Sequence, residues 1–288
     1  MKKISKSTKK QYELLLNNID ILNLEIEDFD MVLNKIETKT DNKGTQKTYL
    51  AAILWYIRDN NLNIDTSLYT EEIFTIASEL NNERLNNTNS KKEQDKFIKW
   101  QDLLLLRDNL KILVESDNYK SKSLHKFYVL ICIYTMIPPR RIADYSEMFF
   151  FKKAPNVLST HKNYFINEKE PRFIFHKYKT YKKYNKQDYE IPMELSHILS
   201  YYIIFRGIQN GTKIFDSNVK ALSRFIAVHL KNYTGKSATV NTIRHSYSTY
   251  IDLLEGKDKL TMAERQDIAN KMGHSFTEHV MYSKFKSI

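Results

Sequence analysis

A single cysteine, Cys132, leaves this 288-residue chain no disulfide to make with itself. It sits in the apolar run FYVLICIYTM, where a buried, reduced thiol is expected. No stretch reaches the roughly 20 consecutive apolar residues that cross a bilayer. The opening MKKISKSTKKQYELLL is too polar for a signal-peptide core. The expectation is an intracellular protein, of cytoplasm or nucleus, with no membrane partner. Sequons such as those at Asn86 and Asn232 are then chance matches. Glycine is scarce, at 6 residues, and proline numbers 5. No phosphate-cradling glycine loop, metal-ligand spacing or internal repeat occurs, so neither metal nor cofactor is expected. Abundant Asn, Lys, Tyr and Ile fit an AT-rich coding sequence and carry little chemistry. Acidic residues are also outnumbered, 34 Asp+Glu against 45 Lys+Arg, for a net charge of +11. That is the electrostatic footprint of a partner carrying phosphates, although charge alone fits a solvated basic surface equally well.

What the chain does have is helical periodicity. Residues 8–22, 26–37, 45–58 and 70–84 carry apolar positions at three- and four-residue spacing, such as Tyr12, Leu15, Leu16 and Ile19. They predict a helical unit over 1–84. The polar stretch RLNNTNSKKEQDK cannot offset its own ordering by burial, which makes 85–96 a linker to a second unit at 97–288. In that unit, helices are expected at 100–115 and 123–136. Pro138-Pro139 then opens a new helix carrying Arg140, Arg141, Asp144 and Tyr145. NYFIN, RFIFHKY and DYEIP read as strands of a small antiparallel sheet, and helices return after Pro192. Thr261 with Glu264, and Ser275 with Glu278, have capping-box spacing, and Gly273 falls where a glycine would stop a helix. The fold class is therefore mainly α with a small antiparallel β-sheet, α+β.

TVNTIRHSYSTYIDLL, residues 239–254, gives a buried stripe of Val240, Ile243, Tyr247, Ile251 and Leu254. Asn241, Arg244 and Ser248 fall on the adjoining face. A guanidinium held at the edge of such a stripe is a rigid fork suited to phosphate, or else caps a carboxylate at the core's rim. TVNTIRHSYSTY resembles the H-x-x-R-H-[ST] segment of the tyrosine recombinases, the phage-integrase-like family. Other blocks resembling that family occur in order. Arg141-Ile-Ala-Asp144-Tyr145 resembles R-x-x-[ED]-L, KYKTYKKYNKQDYEIP resembles the K-T-x-K hairpin, and KMGHSFTEHVMY resembles the closing L-G-H block with its tyrosine.

The resemblance implies a helical core-binding domain followed by a mixed catalytic domain. It implies a site-specific recombinase or integrase of a mobile genetic element or virus, breaking and rejoining double-stranded DNA through a 3′-phosphotyrosyl link. On this reading Arg141 and Arg244 stabilise phosphate charge and Lys179 protonates the leaving oxygen, with Lys177 and Lys182 as its competitors. His274 bonds the phosphate or assists proton transfer, and Tyr282, one of 19 tyrosines, is the nucleophile. Asp144, three positions after Arg141, is expected to orient it, leaving Arg140 to face backbone phosphate or solvent. Lys2, Lys3, Lys6, Lys9 and Lys10, with Arg140, Lys177 and Lys182, are expected against the DNA backbone, the two lobes closing as a clamp. A homotetramer on synapsed DNA is implied, with a monomer or weak oligomer when free. Two departures stand out. Asn241 occupies the usual histidine position of the catalytic set, where its amide can donate a hydrogen bond to a phosphate oxygen but cannot take up a proton near neutral pH. Tyr282 lies eight positions after His274, one short of the commonest spacing, and with only SKFKSI after it no long C-terminal docking helix is expected. A type IB topoisomerase, which shares the chemistry, and a DNA-binding relic that has lost catalysis are the alternative readings.

Overall fold

The structure, a computed structural model, describes residues 4–85, 94–116 and 121–282, excepting the side chains of 84, 85 and 280–282. Lys2, Lys3 and most of the expected linker lie outside the described residues. The chain divides into two compact units, Met1–Asn86 and Asn87–Ile288.

The first unit is built from α1 (Lys6–Asn18), α2 (Phe29–Glu37), α3 (Lys43–Asp59) and α4 (Ser67–Leu85). Ser5, Asp28 and Asn42 start the first three by accepting from the amides of Thr8, Met31 and Thr45, each satisfying an orphan donor of a first turn. α1 stops short of the expected position 22. Asp20 takes a left-handed φ of 54°, and the break lets both Ile19 and Ile21 turn inward. Leu16, Val32, Ile36, Leu50, Ile53 and Ile57 fill the core. The Tyr69 hydroxyl donates to the Ile26 carbonyl at 2.6 Å, satisfying a buried acceptor while tying α4 to the turn before α2. Lys6, Lys9 and Lys10 lie exposed on α1.

The second unit is mainly α with a small sheet. α5 (Trp100–Glu115) packs on α6 (Lys122–Met136). Residues Phe127 to Tyr134 of α6 are buried without interruption, as a helix apolar on every side requires. After the short α7 (Ile142–Ser146) come β1 (Met148–Phe151), β2 (Asn163–Ile166), β3 (Arg172–Phe175) and β4 (Gln187–Glu190), ordered β1-β2-β3-β4. β2, β3 and β4 are the expected antiparallel strands. β1 adds a fourth, parallel to β2, so the sheet is mixed. MFFF was unplaced by sequence because it follows α7 with no turn residue to bound it. One sheet face sends Phe150, Phe165, Phe173 and Phe175 into the main core, and the other buries Tyr164, Ile166 and Ile174. A single helical turn, α8 (Tyr181–Tyr184), joins β3 to β4. Then follow α9 (Met193–Phe205), α10 (Val219–Thr234), α11 (Val240–Asp252), α12 (Met262–Lys271) and α13 (Phe276–Tyr282). α11 buries Val240, Ile243 and Ile251 as its spacing predicts, and Tyr247 and Tyr250 pack on Trp100. Thr261 and Glu264 form a reciprocal capping box at the start of α12. The Ser275 hydroxyl accepts from the Glu278 amide at the start of α13.

Candidate active site

Pro138-Pro139 does not open a helix. The backbone is still extended at Arg141, with φ −69° and ψ 147°, and α7 begins at Ile142. Extended backbone sends successive side chains to opposite sides, and two adjacent arginines therefore part company. Arg140 turns inward to full burial, its Nε 2.8 Å from Asp144 Oδ2. Arg141 stays half-buried and donates from Nη1 to the Gly273 carbonyl at 2.7 Å. Two expectations are corrected here. Asp144 pairs with Arg140 rather than Arg141, and Arg140 faces neither solvent nor a surface that DNA backbone could reach. The cause is the late start of α7, which puts Asp144 in its first turn, one turn on from Arg140. Burial pushes the Asp144 carboxyl above its ordinary range, and the Arg140 guanidinium opposes that shift.

Three guanidiniums meet three consecutive carbonyls. Arg140 Nη1 donates to Lys271 O at 2.8 Å, Arg244 Nη2 approaches Met272 O at a long 3.5 Å, and Arg141 Nη1 bonds Gly273 O. Arg244 Nε also donates to Pro139 O at 3.2 Å. These carbonyls close α12, where the last acceptors of a helix have no intrahelical donor and the dipole is negative. The end of α12 thus gathers cations from the 138–141 segment and from α11 at one place. Arg244 is held 2% exposed, so its fork is fixed by backbone rather than by solvent.

Gly273 makes that approach possible. Its φ is +71°, and a Cβ there would stand 3.1 Å from Arg140 Nη2 and 3.6 Å from Arg141 Nη1. Gly273→Ala is expected to cost about 1–2 kcal/mol, from the left-handed backbone and from displaced arginines. Urea unfolding checks it, and a variant as stable as the parent would contradict it.

His274 follows directly, fully buried, its amide bonded to Ala269 O at 3.1 Å. Burial first, then the positive charges of Arg244 and Arg141 with His279 and His245, push its imidazole down to about 2. The ring is therefore neutral in the folded protein at any physiological pH. His279, also buried, is driven down by its burial and stands perpendicular to His274 at 5.6 Å. In the unfolded chain both rings take up a proton near pH 6.5. The unfolded state then binds more protons, so stability falls as pH drops below that point. The expected slope is about 1.4 kcal/mol per pH unit for each histidine held neutral. Urea midpoints at pH 7.5 and 5.5 measure it, and His274→Gln should remove one histidine's share. A wild-type midpoint flat across this interval would contradict the assignment.

Further side chains lock the frame. Ser248 Oγ lies 3.4 Å from His279 Nδ1, and His279 Nε2 lies 3.8 Å from Asp252 Oδ1, which also pairs with Arg265. α13 is thereby fastened to α11. Thr180 Oγ1 donates to Gly273 O at 2.9 Å, bringing the β3–β4 connection to the same carbonyl as Arg141. Buried Asn163 donates to Asp144 O and Lys177 O and accepts from the amides of His176 and Lys177. Sequence reasoning passed over Asn163 and His279, because an amide at a strand start or a histidine inside a helix carries no local signal, and it met Thr180 only as the threonine of the K-T-x-K hairpin. The PPRR doublet did mark Arg140, but pointed it toward phosphate or solvent, the reverse of its buried place.

The structure brings Arg141, Arg244 and His274 together. Lys179, beside Thr180, is exposed on the connection between β3 and β4, as is Lys182. Lys177 is exposed and pairs with Glu147 at 3.6 Å. Asn241 is exposed on the first turn of α11, 3.2 Å from His245 Nε2. The backbone of Tyr282 ends α13, and its side chain lies outside the described residues. Among the described residues no group of three His, Cys, Asp or Glu side chains could hold a metal ion, and no helix is long and apolar enough to cross a membrane.

No protein-family model matches the chain, and no curated protein matches it. Among solved structures it is similar to the crystal structure of XerA recombinase, with a TM-score of 0.42 and 13% identity over 97% of this chain and 87% of that one.

Proposed function

We propose that the protein is a site-specific recombinase that cleaves and rejoins double-stranded DNA through a tyrosyl intermediate. The observation that carries this reading is the meeting of Arg141, Arg244 and neutral His274 at the end of α12, each from a sequence block resembling one of the tyrosine-recombinase blocks. In the proposed step the Tyr282 phenolic oxygen attacks phosphorus, the bond to the 5′-oxygen breaks, and a 3′-phosphotyrosyl bond forms. The phenol gives up its proton to solvent water, and Lys179 supplies one to the departing 5′-oxygen. Arg141 and Arg244 take the charge that grows on the non-bridging oxygens, where one preorganised donor is worth roughly 3–4 kcal/mol. His274, being neutral, bonds a phosphate oxygen rather than adding fixed charge or taking up a proton. Exposed Lys6, Lys9 and Lys10 on α1, with Lys177 and Lys182, meet the DNA backbone. Four protomers then synapse two duplexes, and the element served is a mobile one.

The test uses duplexes selected by binding from a randomised library and nicked so that cleavage traps the covalent adduct. An SDS-resistant adduct whose peptide maps to Tyr282 is the expected result. Absence of adduct across salt and pH, or attachment at another tyrosine, would overturn the reading. Relaxation of supercoiled plasmid with no junction intermediates would replace it with a type IB topoisomerase.

A further inference from the structure

Arg140 is a cation whose Nε and Nη1 are turned to protein groups, and it touches α7, the β3–β4 region and the end of α12. Its Nε pairs with Asp144 of α7, and its Nη1 reaches both Gln187 of β4 and Lys271 O of α12. Its guanidinium carbon sits 4.0 Å from the centre of the Phe175 ring and 4.7 Å from that of Tyr178. Gln187 continues the network by donating to Asn270 O at 2.7 Å. The chain neighbours of these contacts are the candidate site residues. Arg141 is next to Arg140 itself, Lys179 is next to Tyr178, and His274 follows Lys271 by three positions. A planar fork between two rings, with donors in three directions, fixes the β3–β4 connection, the 138–141 segment and the end of α12 in one register. An ammonium cannot reproduce that geometry.

We propose that Arg140 is a positioning residue that sets the distances among Arg141, Lys179 and His274 without touching DNA. The proposal rests on the recombinase reading for its kinetic consequence. A displacement of about 1 Å among reacting groups can cost on the order of 100-fold in rate.

Two full-length variants test it, Arg140→Lys and the double variant Arg140→Met with Asp144→Leu. The second replaces a buried ion pair by apolar side chains, an exchange that often preserves folding. Both are expected to bind duplex within about 2-fold of the parent and to form the covalent adduct about 100-fold more slowly. A second measurement needs no activity. Amide exchange at Gly273 and His274, bonded to Asn270 O and Ala269 O, should accelerate by at least about 10-fold. Amides of α6 should stay unchanged. A folded variant that captures DNA at the parental rate overturns the proposal and leaves the recombinase reading intact. If the parent itself forms no adduct, the recombinase reading fails, and exchange alone decides. Faster exchange confined to Gly273, His274 and the β3–β4 connection supports the brace, and unchanged exchange overturns it.

Discussion

Tyr282→Phe is expected to abolish covalent capture of DNA while leaving duplex affinity within about 2-fold and the urea midpoint essentially in place. The substitution removes one oxygen and keeps the ring, so the proposed nucleophile is lost at the smallest change in the side chain. Tyr282 closes α13, which α11 holds through the contacts of His279 with Ser248 and Asp252. The buried network around His279 thus ties the helix that ends at the Tyr282 backbone to α11. Adduct formed by the Phe variant at the parental rate would exclude Tyr282 as the nucleophile, and peptide mapping would then identify the residue in use.

The second large effect is at Arg244. Arg244→Lys is expected to slow adduct formation by roughly 10²–10³-fold, the range for removing one preorganised donor at a developing oxyanion. It keeps the charge, so duplex affinity should change much less than rate. What it loses is geometry. The Arg244 fork is fixed by Pro139 O through Nε and faces Met272 O through Nη2, and a lysine ammonium can satisfy one of these carbonyls but not hold a planar pair of donors to phosphate. A buried carbonyl left without its donor should also lower stability by about 1–3 kcal/mol. Single-turnover capture, read beside binding, separates the two effects. A lysine variant with parental rate would mean that Arg244 serves only the fold.

Asn241 marks where the chain departs from the family it resembles. It is exposed beside His245, whereas Arg244, one turn on, is buried. His274 is the imidazole that the structure puts beside Arg141 and Arg244.

The amino-acid sequence by itself determined the helices with strong three- and four-residue spacing, the antiparallel trio of strands and the Thr261 capping box. It also determined the stop at Gly273 and the order of the blocks bearing Arg141, Lys179, Arg244 and His274. These are local properties, set by period, by turn chemistry and by residues within one or two turns of each other. Only the tertiary structure decided the parallel fourth strand, the partner of Asp144, the burial of Arg140 and the neutrality of His274. Each depends on groups distant in the chain. Which of two adjacent arginines faces inward depends on where α7 begins and on Phe175, Tyr178 and Lys271 waiting on the inner side. An imidazole's charge likewise depends first on its burial and then on two guanidiniums that the carbonyls ending α12 draw to it from other segments.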